Sequence, residues 1–334
     1  MRYFKYAIVG GYIAGITLLF YIIGLLYHQT TTAAGTNNNS VIVEIPQGAS
    51  LTRISHILSE QGLILSPSAF RLLAYIKNKQ KQIQLGEFDL NATMTPGEIL
   101  EKITSGKALL HSITIPEGYR ILEINQLLVS KGLTKGDEFI SQTKNPTLLK
   151  QLNIPTDSLE GYLFPDTYHF ARNTSAQAIV ETMINTFKDK VLKKEFLQQA
   201  QTMGFSFHEI ITLASIIEKE TGAAEERKMI SSVFHNRLKK HMLLQTDPTV
   251  IYAIKDFDGN LRKKDLSMDS PYNTYRYSGL PPGPIASPGL ESITAALNPS
   301  ETQNLYFVSK QDGHHQFSTN LSAHNMAVRK YQLR

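Results

Sequence analysis

The chain of 334 residues contains no cysteine and no tryptophan. The missing thiol excludes a disulfide framework, thiolate-ligated zinc, an iron–sulfur cluster and cysteine nucleophilic catalysis. Other signatures are missing as well. Neither a Walker A motif nor GxGxxG occurs for a nucleotide, nor HExxH for zinc, nor GxSxG for a serine hydrolase. SxxK occurs once, at Ser141–Lys144, without the SDN and KTG segments that accompany it in such enzymes. Charge is modest at 19% of residues and net +5, while 42% of residues are hydrophobic, which argues against global disorder. At about 150 residues per domain, the length suggests two domains or one with appendages.

Charge is wholly absent from residues 6–27, a stretch of 22 that reads YAIVGGYIAGITLLFYIIGLLY. At about 1.5 Å per residue it makes roughly 33 Å of helix, enough to span a hydrocarbon core of about 30 Å. Arg2 and Lys5 precede it and no further Lys or Arg occurs until Arg53. The positive-inside rule therefore puts residues 1–5 in the cytoplasm and everything after the span outside. Tyr3, Tyr6 and Tyr27 fit interface depths. A cleavable signal peptide competes, with Thr32-Ala33-Ala34 offering small residues to a protease, but its apolar region should be about 7–15 residues and this one is longer. Without Arg2 and Lys5, the 34 basic side chains become 32 against 29 acidic ones. So small an excess does not suit a nucleic-acid binder.

Residues 28–40 are mainly small and polar and read as a flexible linker. Beyond it lies an internal repeat: IPQGASLTRISHILSEQGL (45–63) and IPEGYRILEINQLLVSKGL (115–133) agree at seven of 19 positions with a constant offset of 70. Each copy predicts a short strand (41–45 and 113–115), a Pro-x-Gly turn and an amphipathic helix stopped by glycine. Between the copies, 67–79 and 95–104 read as helices and 84–88 as a strand. Such a unit suits a glycan-binding module or a bare scaffold. Helices are expected at 176–203 and 207–220, followed by a Pro/Gly/Tyr-rich stretch, 241–290, that reads as a shaped surface.

The sharpest chemical feature is HEIITLASIIEKETG (208–222). Its helical periodicity buries most faces and leaves a narrow polar stripe near Thr212, Ser215 and Lys219. Glu218 lies at the edge of that stripe, where burial raises a carboxyl's pKa toward that of a general acid. The alternative is an ion pair with Lys219, Arg227 or Lys228, and periodicity does not choose between Glu218 and Glu220. His314, His315 and His324 with Asp312 are candidate metal ligands, or simply loop histidines. Asp166 and Asp247, each near proline, are turn or cap positions or, alternatively, a second carboxylate.

EGYLFPDTYHF (160–170), ASIIEKET (214–221), VFHNRL (233–238), LQTDPTVIYA (244–253), SPYNTYRYSGLPPGPIASPG (270–289), AALNP (295–299) and LYFVSKQDGHHQFSTNLSAHN (305–325) closely resemble the MltG/YceG-like family of membrane-anchored endolytic murein transglycosylases. The motifs stand in family order over roughly 155–328. The departures are small, a serine at Ser287 and His235 within VFHNRL. The resemblance implies an α+β fold: a single transmembrane helix (6–27), a linker (28–40), a LysM-like module (41–110), a connecting β-turn-α unit (111–154) and a mixed α/β catalytic domain (155–334).

It also implies that Glu218 is the catalytic acid, with Glu220 as its neighbour. A lytic transglycosylase works with one carboxyl because the attacking group is the C6 hydroxyl of the same muramyl residue, whose high effective molarity replaces an activated water. No metal or cofactor is implied. Tyr162, Tyr272 and Tyr275 are expected to stack on sugars, and Gln245, Asn273 and Thr274 to hydrogen-bond them, each with the alternative of a core or turn position, and Asp247 and Asn236 are further contacts. Asn236 and Arg237 have the alternative role of fixing their loop. The expected partners are peptidoglycan strands, the cytoplasmic membrane and peptidoglycan synthases. A catalytically silent scaffold that recruits synthases is the competing class.

Overall fold

The computed structural model of the protein describes residues 2–333 apart from positions 47, 107 and 221, with side chains from residue 11 onward. The architecture is mixed α+β, with three two-stranded sheets and many helices among the described residues. Two compact units emerge: Met1–His111 with His169–Thr174, and Ser112–Tyr168 with Ser175–Arg334.

The first unit begins with α1 (Arg2–Thr31), whose 21-residue segment Gly11–Thr31 is apolar enough to cross a membrane, with none of its apolar stretch buried. Its length and composition are those of a single membrane span. The side chains of Arg2, Tyr3, Lys5 and Tyr6, on which the expected orientation rests, lie outside the described residues. The helix continues through residues 28–31, expected as linker. The polar segment after it is held in place, since the Gly35 N–H donates to the Ala92 carbonyl at 2.9 Å.

Strand β1 (Val41–Ile45) then pairs antiparallel with β2 (Gly86–Leu90), Val43 opposite Phe88. Helices α2 (Leu51–Glu60), α3 (Pro67–Ile76) and α4 (Pro96–Thr104) cover the sheet. Their starts are written locally: Ser50, Ser66 and Thr95 each accept a backbone N–H, and Thr95 with Glu98 forms a reciprocal capping box. Val43, Ile45, Ile54, Leu58, Phe70, Phe88, Leu90, Ile99 and Ile103 make one buried core.

The second unit opens with the other copy of the repeat. β3 (His111–Thr114) and α5 (Ile121–Ser130) reproduce β1 and α2 in register. The equivalent glycines share left-handed backbones, φ 72° at Gly48 and 76° at Gly118, then 69° at Gly62 and 67° at Gly132. Ile54 and Leu58 have buried counterparts in Ile124 and Leu128. After α6 (Glu138–Gln142) and α7 (Pro146–Gln151), β4 (Thr167–Phe170) pairs with β3, where the Thr114 and Thr167 hydroxyls meet at 2.8 Å.

The helix expected over 176–203 is two helices, α8 (Ala176–Val191) and α9 (Lys194–Thr202). Lys193 is extended at ψ 143° and breaks the run. Helix α10 (Phe207–Glu220) runs through the interior, with every residue from Ile210 to Ile217 buried. The anticipated polar stripe is therefore internal: the Ser215 hydroxyl donates to the Thr212 carbonyl at 2.7 Å and accepts the Ile285 N–H at 3.0 Å. Around α10 stand α11 (Arg227–Lys239), α12 (Asp247–Ala253) and α13 (Leu290–Leu297). A hairpin of β5 (Tyr306–Ser309) and β6 (His315–Ser318), then α14 (Leu321–Tyr331), complete the chain. The Pro/Gly-rich stretch is not all surface, because 283–289 is buried beside α10.

Candidate active site

Helix α10 ends in two glutamates two residues apart, and successive residues of a helix are separated by about 100° of rotation. The pair accordingly meets different neighbours. Glu218, its side chain only 7% exposed, accepts the Gly289 N–H at 2.9 Å, and its other oxygen lies 3.7 Å from Arg227. Arg227 also reaches Glu291 at 2.6 Å and Glu117 at 3.9 Å. The carboxyl of Glu117, from the Pro-x-Gly turn of the second repeat copy, is raised above its usual range by burial and then by the charge of Glu218. This is a compact charge cluster that fixes the start of α13 to the end of α10.

Glu220 instead lines an open groove of about 560 Å³, together with Arg237, Gln245, Asp247, Tyr275 and Tyr306. Its carboxyl accepts the Thr246 hydroxyl and is pushed up to about 7, chiefly by burial and further by Asp247, against the opposing pull of the Thr246 bond and Arg237. A carboxylic acid still half protonated near neutral pH, on the wall of a groove, is the condition a general acid needs.

The groove is built by residues distant in sequence. Gln245 holds a left-handed φ of 51°, and its N–H donates to the Thr274 carbonyl at 3.1 Å. Asp247, at the start of α12, accepts the Tyr275 hydroxyl at 2.6 Å. Tyr306 from β5 carries the Arg237 guanidinium 5.1 Å from its ring centre and stacks on His324 at 5.1 Å. The Nδ1 of His324, also at the groove, is buried without a hydrogen-bond partner among the described residues.

Of the sugar contacts expected from sequence, Arg237, Gln245, Asp247 and Tyr275 line this groove; Tyr272 does not, its ring packing on Tyr252 with centres 4.8 Å apart, and neither do four others. Tyr162 is 3% exposed, with its hydroxyl 2.7 Å from the His208 imidazole and its ring against Phe187. Asn273, wholly buried, donates to the Leu266 and Met268 carbonyls at 3.0 and 2.7 Å and accepts the Tyr275 N–H at 3.0 Å. The Thr274 hydroxyl meets the Thr246 N–H at 3.1 Å and Thr249 at 2.9 Å. Asn236 spans the Thr302 and Asn304 carbonyls at 2.9 and 3.0 Å. Asn236, Asn273 and Thr274 spend their polar atoms on the loops behind the groove, and Tyr162 packs between α8 and α10. Asp166 pairs with Lys190 at 2.7 Å, away from the groove.

Of the histidine candidates, His315 and His324 line the groove and His314 does not. His315 bonds Glu226 at 2.7 Å and His314 lies 3.6 Å from Glu225. Among the described residues no group of three metal-ligating side chains converges. Tyr306 was missed in the sequence, and His324 was singled out there only as a metal-ligand candidate, because nothing local marks either as a groove residue; only the packing of β5 on α14 brings them together.

One helix-borne carboxyl with a raised pKa, facing an open, aromatic and polar groove, defines an acid-catalytic class of site. The YceG-like family model matches residues 43–330, and the chain belongs to that family. A Bacillus subtilis (strain 168) protein named endolytic murein transglycosylase is 37% identical over 309 residues, covering 87% of this chain and 85% of that one. A protein of the same name from Streptococcus pneumoniae (strain D39) is 31% identical over 323 residues, and the match spans 58% of its length. A crystal structure of a yceG-like protein from Listeria monocytogenes is 34% identical, with a TM-score of 0.59 over 87% of this chain and 99% of that one.

Proposed function

We propose that the protein is an endolytic peptidoglycan transglycosylase whose catalytic acid is Glu220. The observation that carries this reading is the Glu220 carboxyl, raised to about 7 on the wall of the groove that also holds Gln245, Asp247 and Tyr275. The names of the bacterial relatives support the substrate and the reaction class. The sequence resemblance assigned the acid to Glu218. The role moves two residues because the Glu218 carboxyl faces Gly289 and Arg227 and does not line the groove.

In the proposed mechanism, protonated Glu220 gives its proton to the glycosidic oxygen between a muramyl residue and the next N-acetylglucosamine. The C1–O bond breaks and positive charge spreads over the muramyl C1 and ring oxygen. The Glu220 carboxylate then takes the proton of that residue's own C6 hydroxyl, the C6 oxygen bonds to C1, and a 1,6-anhydro ring closes. No water is consumed and the acid is regenerated. Asp247, held by Tyr275, keeps Glu220 protonated through its nearby negative charge. Arg237 packs over the Tyr306 ring on the groove wall, and both stand where the glycan would lie.

Residues 6–27 would anchor the enzyme in the cytoplasmic membrane with residues 1–5 inside. The expected division into a LysM-like module (41–110), a connecting unit (111–154) and a catalytic domain (155–334) would keep the groove outside, near nascent strands, with synthases as possible partners. A second reading draws on Asp247 lining the same groove: two carboxylates also suit a hydrolase that activates water. Mass spectrometry of products from purified glycan strands separates the readings. 1,6-Anhydro ends support the transglycosylase, reducing ends the hydrolase, and an absence of cleavage a non-catalytic scaffold.

A further inference from the structure

Neighbouring residues on two elements line separate depressions. Glu220 and Asp247 belong to the groove, whereas Lys219 and Pro248 line a second pocket of about 510 Å³ within the same unit. Its character is different. The groove walls carry Glu220 and Asp247 against Arg237, while the second pocket gathers three cations, Arg120, Lys219 and Lys255, against Glu123 and Asp256.

Among the described residues none of the three cations stands in an ion pair. Lys219 donates to the Gly118 carbonyl at 3.2 Å, and Arg120 lies 5.7 Å from the centre of the Tyr252 ring. Glu123 accepts the Arg120 backbone N–H at 2.7 Å, and with Asp256 it offsets two of the three positive charges, leaving the pocket with an excess of one. Glu160, close to Arg120 and raised to about 7 by burial, is only about half ionised near neutral pH and so cancels part of that charge. Ile251 and Phe257 add apolar wall. The pocket therefore combines unspent positive charge with aliphatic surface, a fit for a peptide bearing carboxylates.

The chemistry of the proposed reaction says where such a peptide must be. In murein the peptide hangs from the C3 lactyl ether of the muramyl residue, and that same residue carries the C1 and C6 that react at Glu220. Its stem therefore has to leave the groove within one sugar's width of the end of α10. We propose that the second pocket receives the stem peptide of the muramyl residue undergoing cleavage, with its carboxylates meeting Arg120, Lys219 and Lys255. The assignment rests on the transglycosylase reading above and makes the enzyme selective for strands that still carry peptides.

The test uses the full chain in detergent with two substrates: glycan strands with intact stem peptides, and the same strands after an amidase has removed them. For the Arg120→Ala/Lys255→Ala variant, KM on peptide-bearing strands rises at least about tenfold, since two charge-assisted contacts are lost. Its kcat stays within about twofold, and KM on stripped strands is unchanged. Lys255 is exposed, so Lys255→Ala alone, which should fold normally, moves KM in the same direction by a smaller factor, and Lys255→Arg restores it. An equal KM rise on both substrates, or none on either, overturns the pocket assignment. Wild-type protein that cleaves neither substrate overturns the transglycosylase reading and this assignment with it.

Discussion

Glu218 and Glu220 stand on the same last turn of α10 and serve different neighbourhoods: Glu218 accepts the Gly289 N–H at 2.9 Å beside Arg227, and Glu220 accepts the Thr246 hydroxyl at the groove. The first bond ties α10 to α13. The second holds an acid where a substrate can reach it. Arg227, its side chain 10% exposed, is the common partner of Glu117, Glu218 and Glu291. Arg227→Met leaves three carboxylates facing one another, and a loss of about 3–5 kcal/mol is expected in denaturant unfolding.

The raised pKa of Glu220 predicts the pH dependence of activity. The acid form does the work, so kcat/KM should fall on the alkaline side with an apparent pKa near 7. Asp247→Asn removes a charge that raises this pKa, and the alkaline limb should move to lower pH. An alkaline limb unmoved by Asp247→Asn would contradict the electrostatic coupling of the two residues.

Glu160 predicts the pH dependence of stability. Burial raises its folded pKa to about 7, whereas in the unfolded chain it titrates near its usual 4.5. Between those values the native state holds a proton that the unfolded state has released, so stability is lost as pH rises from about 4.5 to 7 and is level above. Glu220 acts in the same sense. Urea midpoints at pH 5 and 7.5 should converge in Glu160→Gln relative to wild type, by an amount of order 1–3 kcal/mol.

Asn273 is assigned to scaffolding, which makes a prediction opposite to that of a sugar contact. Asn273→Ala abandons two carbonyls and the Tyr275 N–H inside the protein. It should lower stability by about 2–4 kcal/mol. Substrate KM measured well below the melting temperature should change less than threefold. A tenfold KM rise with unchanged stability would return Asn273 to the binding surface.

Gly161 makes a purely steric prediction. Its φ is +84°, and a Cβ there would sit 2.4 Å from the Cβ of Pro284 in the buried 283–289 segment. Gly161→Ala should cost about 2 kcal/mol or more, read as a lowered melting temperature. An alanine variant as stable as wild type would show that this close approach is not kept in solution.

The repeat was legible because its signals are local: two Pro-x-Gly turns and two glycine stops with matching left-handed backbones. Helix α10 was legible for the same reason, since its apolar periodicity lies within 14 residues. The choice between its glutamates was not, because their environments come from elsewhere in the chain: Gly289 and Arg227 for one, Thr246, Asp247 and Arg237 for the other. Tyr162, Asn236, Asn273 and Thr274 have side chains suited to sugars, and nothing local records that their polar atoms are already used. Leu192–Lys193 broke a predicted helix without glycine or proline to announce it.

The central claim is that the acid is Glu220 and that Glu218 positions the helices around it. The direct measurement is turnover of purified glycan strands by Glu220→Gln and Glu218→Gln proteins of verified melting temperature, with 1,6-anhydro ends counted by mass spectrometry. Glu220→Gln should lose about 10²–10⁴ in kcat with little change in stability. Glu218→Gln should keep activity within about tenfold of wild type while losing stability. Full turnover by Glu220→Gln, with activity abolished in a stably folded Glu218→Gln, would contradict the assignment.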